Sequence, residues 1–546
     1  MSRFVLAISI GPVQEFIAAS RRTRDLWFGS HLLSEISKAA ALAAPQPRDE
    51  LIFPARDWAV RDDAHVANVI LAIVRDPDGA VRRAREAARQ KWNCYANAVL
   101  EQVRPAVEET RWERQADPDD VLEFYAAWAP MPDEAGYKAA RRSAMRLLAG
   151  RKACRNFTQW NGEARVPKSS LDGARERIWK SKEAPETLDE RVRRRMRLRD
   201  AEQLDAIGLV KRLGGEHDAY PSVSRVAADP WLRGLGKSRR DEMLRQRCEE
   251  LAKRGLLVRV RHYPAFPFEG TACFRTRLKE ISENPEDTRA LRSVLRGLPE
   301  ADPYLCILAA DGDGMGARIA AIESKEAHQD FSAQLAKFAE ETDAKVKEHF
   351  GVLVYSGGDD VLAFLPVDKA ILCARKLHDR FRELTGGTLS VGLAIGHSME
   401  PLEDLLDYAR QAEKAAKGKE TERDGLAVHY HPRGGAPLFM RDQWTAKPDE
   451  ALLSLARMHL ENLIPDKAGF DLRELSRIYD ADGPDSSAVE LDVMRLLKRK
   501  RVKDPEQTWA ALLERMTSGE EVRKVADLVI LARKLAGAEL QARGPV

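Results

Sequence analysis

The sequence predicts an α+β protein: two ferredoxin-like domains, a helical middle domain and a C-terminal helical bundle. Three observations predict it. Residues 304–431 run strand, helices, hairpin, helix, strand, helix, strand, the order of one antiparallel sheet with helices packed on it. Residues 4–130 repeat that order through the fourth strand, at a period far too long for a solenoid, so the N-terminus reads as a second copy. Beyond residue 434, apolar residues recur at spacings of three and four in "ALLSLARMHLENLI" and "VADLVILARKLAGAEL", which is the helical period.

The first domain is assigned to residues 1–149. "FVLAISIG" (4–11) is a strand feeding the helices of "PVQEFIAASRRTRDLWFGSHLLSEISKAAALAA". A short strand, "ELIFPA" (50–55), leads to "HVANVILAIV" (65–74), then a helix over about 80–102 and the strand "VLEFYAAWAP" (121–130). Residues 150–300 are Arg-rich and largely helical, with "KSSLDGARERIW" and "EQLDAIGLVKRLGG" as distinctive pieces and "YPSVSRVAADPW" (220–231) as a loop delivering a helix. The third domain, 301–434, opens with the buried strand "YLCILAAD", ending at Asp311, and "GDGMGARIAAI" then starts a helix. A longer helix over 325–349, a hairpin, a helix over 368–384 and the strand "TLSVGLAIG" (388–396) follow. The helix "LEDLLDYARQAEKAAKGK" and the strand "GLAVHYH" (425–431) complete it, and 435–546 form the bundle.

At 546 residues the chain is too long for one hydrophobic core. Lys plus Arg (89) nearly cancels Asp plus Glu (86), so net charge argues neither for nor against a nucleic-acid partner. Two basic runs, Arg191–Arg199 and Lys498–Lys503, are concentrated enough to sit on phosphates. Taken alone, each reads as a solvated helix face. The six cysteines are scattered without a C-x-x-C pair, which fits reduced thiols and makes zinc unexpected. No apolar stretch has the length of a membrane span and the first strand starts almost at Met1, so a cytoplasmic protein without a signal peptide or membrane partner is expected.

The chemistry concentrates in "LVYSGGDDVLAF", residues 353–364. Gly357-Gly358 reads as a hairpin tip, and Asp359 and Asp360 follow it side by side. In a ferredoxin-like sheet that tip lies beside the end of the strand carrying Asp311, so three carboxylates converge. Hard oxygens without His or Cys suit Mg²⁺ or Mn²⁺, which makes Asp311, Asp359 and Asp360 the expected catalytic acids and metal ligands, with Gly312 next to the first. Gly312, Asp313, Gly314, Met315 and Gly316 form a turn with backbone N–H groups for phosphates. Ser356, Gly357 and Gly358 would border the nucleotide, the glycines admitting it without a Cβ in the way. Lys417 would meet its phosphates as a point charge. A lone Gly-Gly-Asp-Asp reads equally as a surface turn capped by acids; its coincidence with Asp311, the glycine turn and Lys417 favours a nucleotide-and-metal site.

The two copies differ at this position. Ser9, Ile10 and Gly11 replace the Asp311 region, and Ala67-Asn68 replaces the two aspartates. The first copy is thus expected to have lost catalysis and to hold a second, acceptor nucleotide. Gln14, Ser30 and His31 are weaker candidates there, each equally a cap or a core hydrogen bond.

The later domain resembles GGDEF-type nucleotide cyclases in its strand ending in Asp, its Gly-Gly-acid hairpin and "ARQAEKAAK", which matches the helix ending in a phosphate-binding Lys. With "GPVQEFIAASRRTRDLWFGSHLLSE", "KSSLDGARE", "SGGDDVLAF" and the helical tail, nearly the whole chain resembles the large subunit of type III-B (Cmr) CRISPR effector complexes. The resemblance implies two palm domains face to face, ATP as substrate, cyclic oligoadenylate as product and activation by target RNA. It implies other Cmr-type subunits, guide crRNA and target RNA as partners. Many such subunits begin with an HD nuclease domain, and no HD nuclease is expected here. Of the two His-Asp pairs, His217-Asp218 lies in a Gly-rich loop and His378-Asp379 on a palm helix. The family's cysteine zinc site is not visible either. Guanine-reading cyclases carry an Asn eight residues after the strand Asp; Ile319 stands there, which implies ATP rather than GTP. Two other readings remain open on the residues: a catalytically silent RNA-complex scaffold and a template-dependent nucleotide polymerase.

Overall fold

The computed structural model describes residues 2–154, 162–198, 202–216, 220–236, 238–479, 486–499 and 510–544. The chain begins with β1 (Arg3–Gly11), α1 (Thr23–Ala43), β2 (Glu50–Phe53), β3 (Val69–Val74), α2 (Pro77–Val103), β4 (Glu123–Met131) and α3 (Tyr137–Ala153). The middle region contributes α4 (Glu190–Met196) and α5 (Ala206–Leu213) among other helices and coil. The second sheet domain comprises β5 (Tyr304–Gly312), α6 (Met315–Ala321), α7 (Lys325–Glu348), β6 (Val352–Ser356), β7 (Val361–Leu365), α8 (Ala370–Thr385), β8 (Leu389–His397), α9 (Leu402–Lys417), β9 (Gly425–Tyr430) and β10 (Leu438–Gln443). Helices follow to the C-terminal end, among them α10 (Pro448–Leu460) and α11 (Gly519–Arg543).

The first sheet has the order β2-β3-β1-β4 and the second β10-β9-β8-β5-β7-β6. Within the second, β8-β5-β7-β6 reproduces the first with the strands in corresponding chain order, so both copies carry the ferredoxin-like arrangement. The register makes the equivalence specific. Ser9 lies opposite Val69 as Ala310 lies opposite Val361, which pairs Ile10 with Asp311, Ala67 with Asp359 and Asn68 with Asp360.

Both sheets are buried on two faces by alternation along their strands. Leu6, Ile8 and Ile10 pack under α1 and α2, whereas Val5 and Ala7 pack against Tyr137, Ala140 and Ala144 of α3. In the second sheet Cys306 and Leu308 meet Phe338 of α7 and Leu377 and Phe381 of α8. Leu305 and Ile307 face α9 through Leu402 and Leu405, in a core continuous with that of α1 and the middle region. The continuity tells why the hairpin of the second copy sits against the first: Tyr220 donates to the Leu353 carbonyl at 3.3 Å and stacks on Trp27 of α1.

Two features differ from the expectation. Residues 438–443, assigned to the helical tail, form β10 on the edge of the second sheet, antiparallel to β9. Leu438 and Met440 are buried and Phe439 exposed, the alternation of a half-buried strand, and Gly434-Gly435 supplies the turn before it. α3 runs through residue 149, so the first domain's last helix crosses the expected boundary at 149/150 and covers its own sheet. The segment "KSSLDGARERIW" is coil with two isolated bridges, Lys168 to Glu176 within it and Trp179 to Val107.

α9 lies unusually close to β8. A Cβ built on Gly392 would sit 2.1 Å from the Glu413 backbone nitrogen, so only glycine lets the helix bearing Lys417 approach. Gly392→Ala is expected to destabilise the protein by about 1–3 kcal/mol or more through overpacking, read as a lower urea midpoint at an unchanged slope.

Candidate active site

Asp311 is the penultimate residue of β5, and Asp359 and Asp360 lie between the Gly357-Gly358 tip and β7. The three carboxylates each offer an oxygen within 4.8 Å of the others. Two local features allow this. Gly358 has φ +115°, a conformation that L side chains rarely adopt. A Cβ on Gly312 would lie 2.9 Å from Asp359 Cβ, Met315 Cγ and Phe381 Cζ, so the absent side chain makes room for Asp359.

The charges are poorly balanced. Lys417, at the end of α9, places Nζ 2.6 Å from Asp311 Oδ2 and 2.7 Å from Glu413 Oε1. Burial opposes its charge, but the hydrogen bonds to Asp311 and Glu413 hold the ammonium above its usual range. Desolvation, then the charge of Asp311, pushes Asp359 up to about 6. Desolvation in the cleft, the hydrogen bond shared with Asp311 and the charge of Asp359 push Asp360 up to about 9. Tyr355 behind them is raised by burial and then by Asp360 and Glu413, so its phenol stays neutral. Among the described residues, one cation is shared between two acids and faces two further acids that resist ionising, which leaves the site short of positive charge.

Other expected residues fall less simply. Asp313 is buried and turned away from the acids: it accepts from Thr388 Oγ1 and Ser390 Oγ, both at 2.8 Å, and from the Asp424 amide at 3.1 Å. Its own amide donates to the Thr388 carbonyl at 2.9 Å. Asp313 therefore ties the turn to β8 and the start of β9, a correction to its expected phosphate role; a buried carboxylate needs such donors. Gly314 caps α6 in the left-handed region at φ +66°, Met315 is buried and Gly316 has open space around it. α6 is seven residues long. Ser356 is fully buried with Oγ unpartnered, Gly357 has open space around it, and Gly357 and Gly358 face residues 53–67 of the first domain across a small cavity.

Gln14 is exposed at the start of the short helix Gln14–Ala18, Ser30 is buried in α1, and His31 stacks on Trp27 at 5.4 Å. None of the three contacts the acid cluster. Ile319 packs half-buried against the core of the second sheet. His378 spends both ring nitrogens on Asp379 and Asp424, at 2.9 and 2.7 Å, as part of the framework around Asp313; His217-Asp218 lies outside the described residues. Glu413, and Arg410 one turn before it on the same helix and electrostatically coupled to Tyr355, were missed. Their spacing of four and seven from Lys417 was the available signal.

Residues 304–427 match the Cas10/Cmr2 second palm domain, and residues 5–97 match the N-terminal domain of CRISPR-associated protein Cmr2. With the relatives below, these matches indicate a large subunit of the type III-B kind. The CRISPR system Cmr subunit Cmr2 of Pyrococcus furiosus is 25% identical over 656 aligned positions, covering 98% of this chain and 74% of that one. A type III-B Cmr-beta structure in the apo state shares the fold at TM-score 0.68 with 13% identity, over 98% of this chain and 82% of that one. The Cmr-beta structure bound to cognate target RNA gives 0.67 and 13%, over 91% and 78%. A Csm1–Csm4 cassette in complex with pppApApA gives 0.51 and 15%, over 99% and 69%. No helix among the described residues is long and apolar enough to cross a membrane.

If repulsion strains the cluster, Asp359→Asn stabilises the fold when divalent ions are absent. The expected result is a higher thermal midpoint in EDTA, with the gain shrinking on Mg²⁺ addition; a lower midpoint in EDTA contradicts the strained cluster.

Proposed function

We propose that this large subunit joins adenylate units from ATP into oligoadenylates, cyclic or related, by two-metal nucleotidyl transfer, within an RNA-guided complex of Cmr-type subunits, guide crRNA and target RNA. The observation that carries the reading is the charge-deficient cluster of Asp311, Asp359 and Asp360 at one sheet end. Its support from relatives is the Cmr-beta complex with cognate target RNA and the Csm1–Csm4 cassette holding pppApApA, a linear adenylate trimer.

The donor set is three carboxylates with no soft ligand, which fits Mg²⁺ or Mn²⁺. Asp311 and Asp359 would hold the first ion and Asp360 a second or an outer contact. Bound there, the ions would supply charge neutralisation to the departing pyrophosphate and acidify the attacking hydroxyl. The protein's own residues do the rest. Lys417, fixed by Glu413, is set to exchange part of its contact with Asp311 for a phosphate oxygen, and Arg410 adds charge on the same helix face. Gly357 and Gly358 leave the backbone of the hairpin open to a nucleotide. The neutral first copy, with Asn68 where Asp360 would be, would receive the acceptor without adding repulsion.

The assembled complex incubated with ATP, Mg²⁺ and cognate target RNA is expected to yield oligoadenylates by mass spectrometry. Asp359→Ala with Asp360→Ala is expected to abolish the products while assembly persists, because a hairpin tip contributes little core. Products at wild-type level in that variant would remove the assignment; a template-dependent polymer would favour the polymerase reading.

Base choice is the finer proposal. Ile319 offers apolar contact only, leaving a guanine amino group desolvated at a cost of about 1–3 kcal/mol. Ile319→Asn should raise kcat/KM for GTP relative to ATP, modestly because a second polar partner is absent. An unchanged ratio would mean that Ile319 does not face the base.

A further inference from the structure

Two arginine-rich stretches have no part in nucleotidyl transfer: "SRRTR" at 20–24 and the run beginning at Arg191. The structure brings them together where α1 meets the middle region. Arg22 donates to the Arg197 carbonyl, and Arg24 to the Arg195 carbonyl at 2.6 Å. The nearby carboxylates are already committed. Asp25 receives Arg212 bidentately, both contacts at 2.7 Å, and Glu202 receives the same guanidinium at 2.7 Å. Lys211 is spent on the carbonyls of Phe16 and Ala19, and Arg195 on those of Leu213 and Gly215. Glu269 acts on Arg197 only at a distance and accepts from the Ser222 amide.

Among the described residues no carboxylate forms an ion pair with Arg22, Arg24 or Arg197. Arg24 is 8% exposed, and its Nε has no partner. Burial, with repulsion from Arg212, lowers Arg22 to about 10; burial lowers Arg24 to about 9. Asp25 and Glu202 still attract Arg22, and Asp25 attracts Arg24, but buried cations that outnumber their counter-ions are costly, and a guanidinium with free donors is shaped for phosphate oxygens. Arg22 and Arg197 are half-buried and reach the surface, where the exposed Arg21, Arg191 and Arg193 extend the positive charge along neighbouring chain.

We propose that this junction binds the phosphodiester backbone of single-stranded RNA, with Arg22 and Arg197 on phosphate oxygens and Arg24 behind them. The extension through Arg21, Arg191 and Arg193 suits a polyanion rather than one phosphate. The inference rests on the assembly half of the reading above, that the chain works beside RNA, and not on catalysis.

The test is fluorescence anisotropy of a labelled single-stranded RNA with the full chain across a salt series. Arg22→Gln and Arg197→Gln should each weaken binding about tenfold and reduce the logarithmic salt slope by about 0.7 per lost phosphate contact. Arg197→Glu should abolish binding yet leave the thermal midpoint unchanged or higher, since it relieves repulsion. Unchanged affinity and slope in both Gln variants would overturn the site, as would a lower midpoint in Arg197→Glu, which marks a structural arginine. Competition by ATP or polyglutamate as effective as that by unlabelled RNA at equal charge would assign another anion. Asp359→Ala with Asp360→Ala should bind RNA normally, so a failed cyclase reading and a failed RNA site give different patterns; loss of RNA binding there would also overturn the arginine assignment.

Discussion

Three carboxyl groups held within 4.8 Å of one another cannot all ionise without repulsion, and much of the second sheet domain serves to keep them there. The antiparallel register of β5 and β7, with Ala310 opposite Val361, brings the end of one strand beside the two residues preceding the other. Gly312 leaves the space that Asp359 occupies. Asp313, satisfied by Thr388, Ser390 and the Asp424 amide, anchors the turn from beneath. Gly392 admits α9 closely enough for Lys417 to reach Asp311. A fold that spends this much packing on like charges is retaining them for something outside the apoprotein's stability.

The first copy shows the same scaffold with the repulsion removed. Ile10 stands where Asp311 would be, and Asn68, in the place of Asp360, donates its side-chain amide to the Ile10 carbonyl at 3.0 Å. One position thus closes two strands with a neutral hydrogen bond in one copy and holds a charge in the other. The two copies are not independent units. The core under α1 continues beneath the second sheet, and the glycine hairpin faces residues 53–67 of the first domain. Binding at one copy is therefore mechanically close to the chemistry of the other.

Much of this was legible beforehand because the signals are local. Alternation and turn residues marked the strands and the Gly-Gly hairpin, and helical periodicity marked α7, α8 and α9 within one or two residues at most ends. β10 was missed although Leu438, Phe439 and Met440 alternate, because the helical pattern that follows it dominated the reading. Asp313 looked like part of a phosphate turn because its neighbours are glycines; the hydroxyls that claim it come from residues 388 and 390. Glu413 stands four residues before Lys417 on one helix and was readable as its partner, whereas its nearness to Tyr355 was not.

Residue order alone was enough for the duplicated sheet, for the loss of acids from one copy and for the candidate triad, since each depends on periodicity, turn chemistry or residue type. Charge balance did not follow from it. The run from Arg191 looked like a solvated helix face. In three dimensions Arg195 is half-buried in carbonyl contacts, and Arg197 shares a site with Arg22 and Arg24, all three guanidiniums without an ion-pair partner among the described residues. Desolvation and Coulomb repulsion depend on distances between residues nearly two hundred positions apart, and only the folded chain sets those distances.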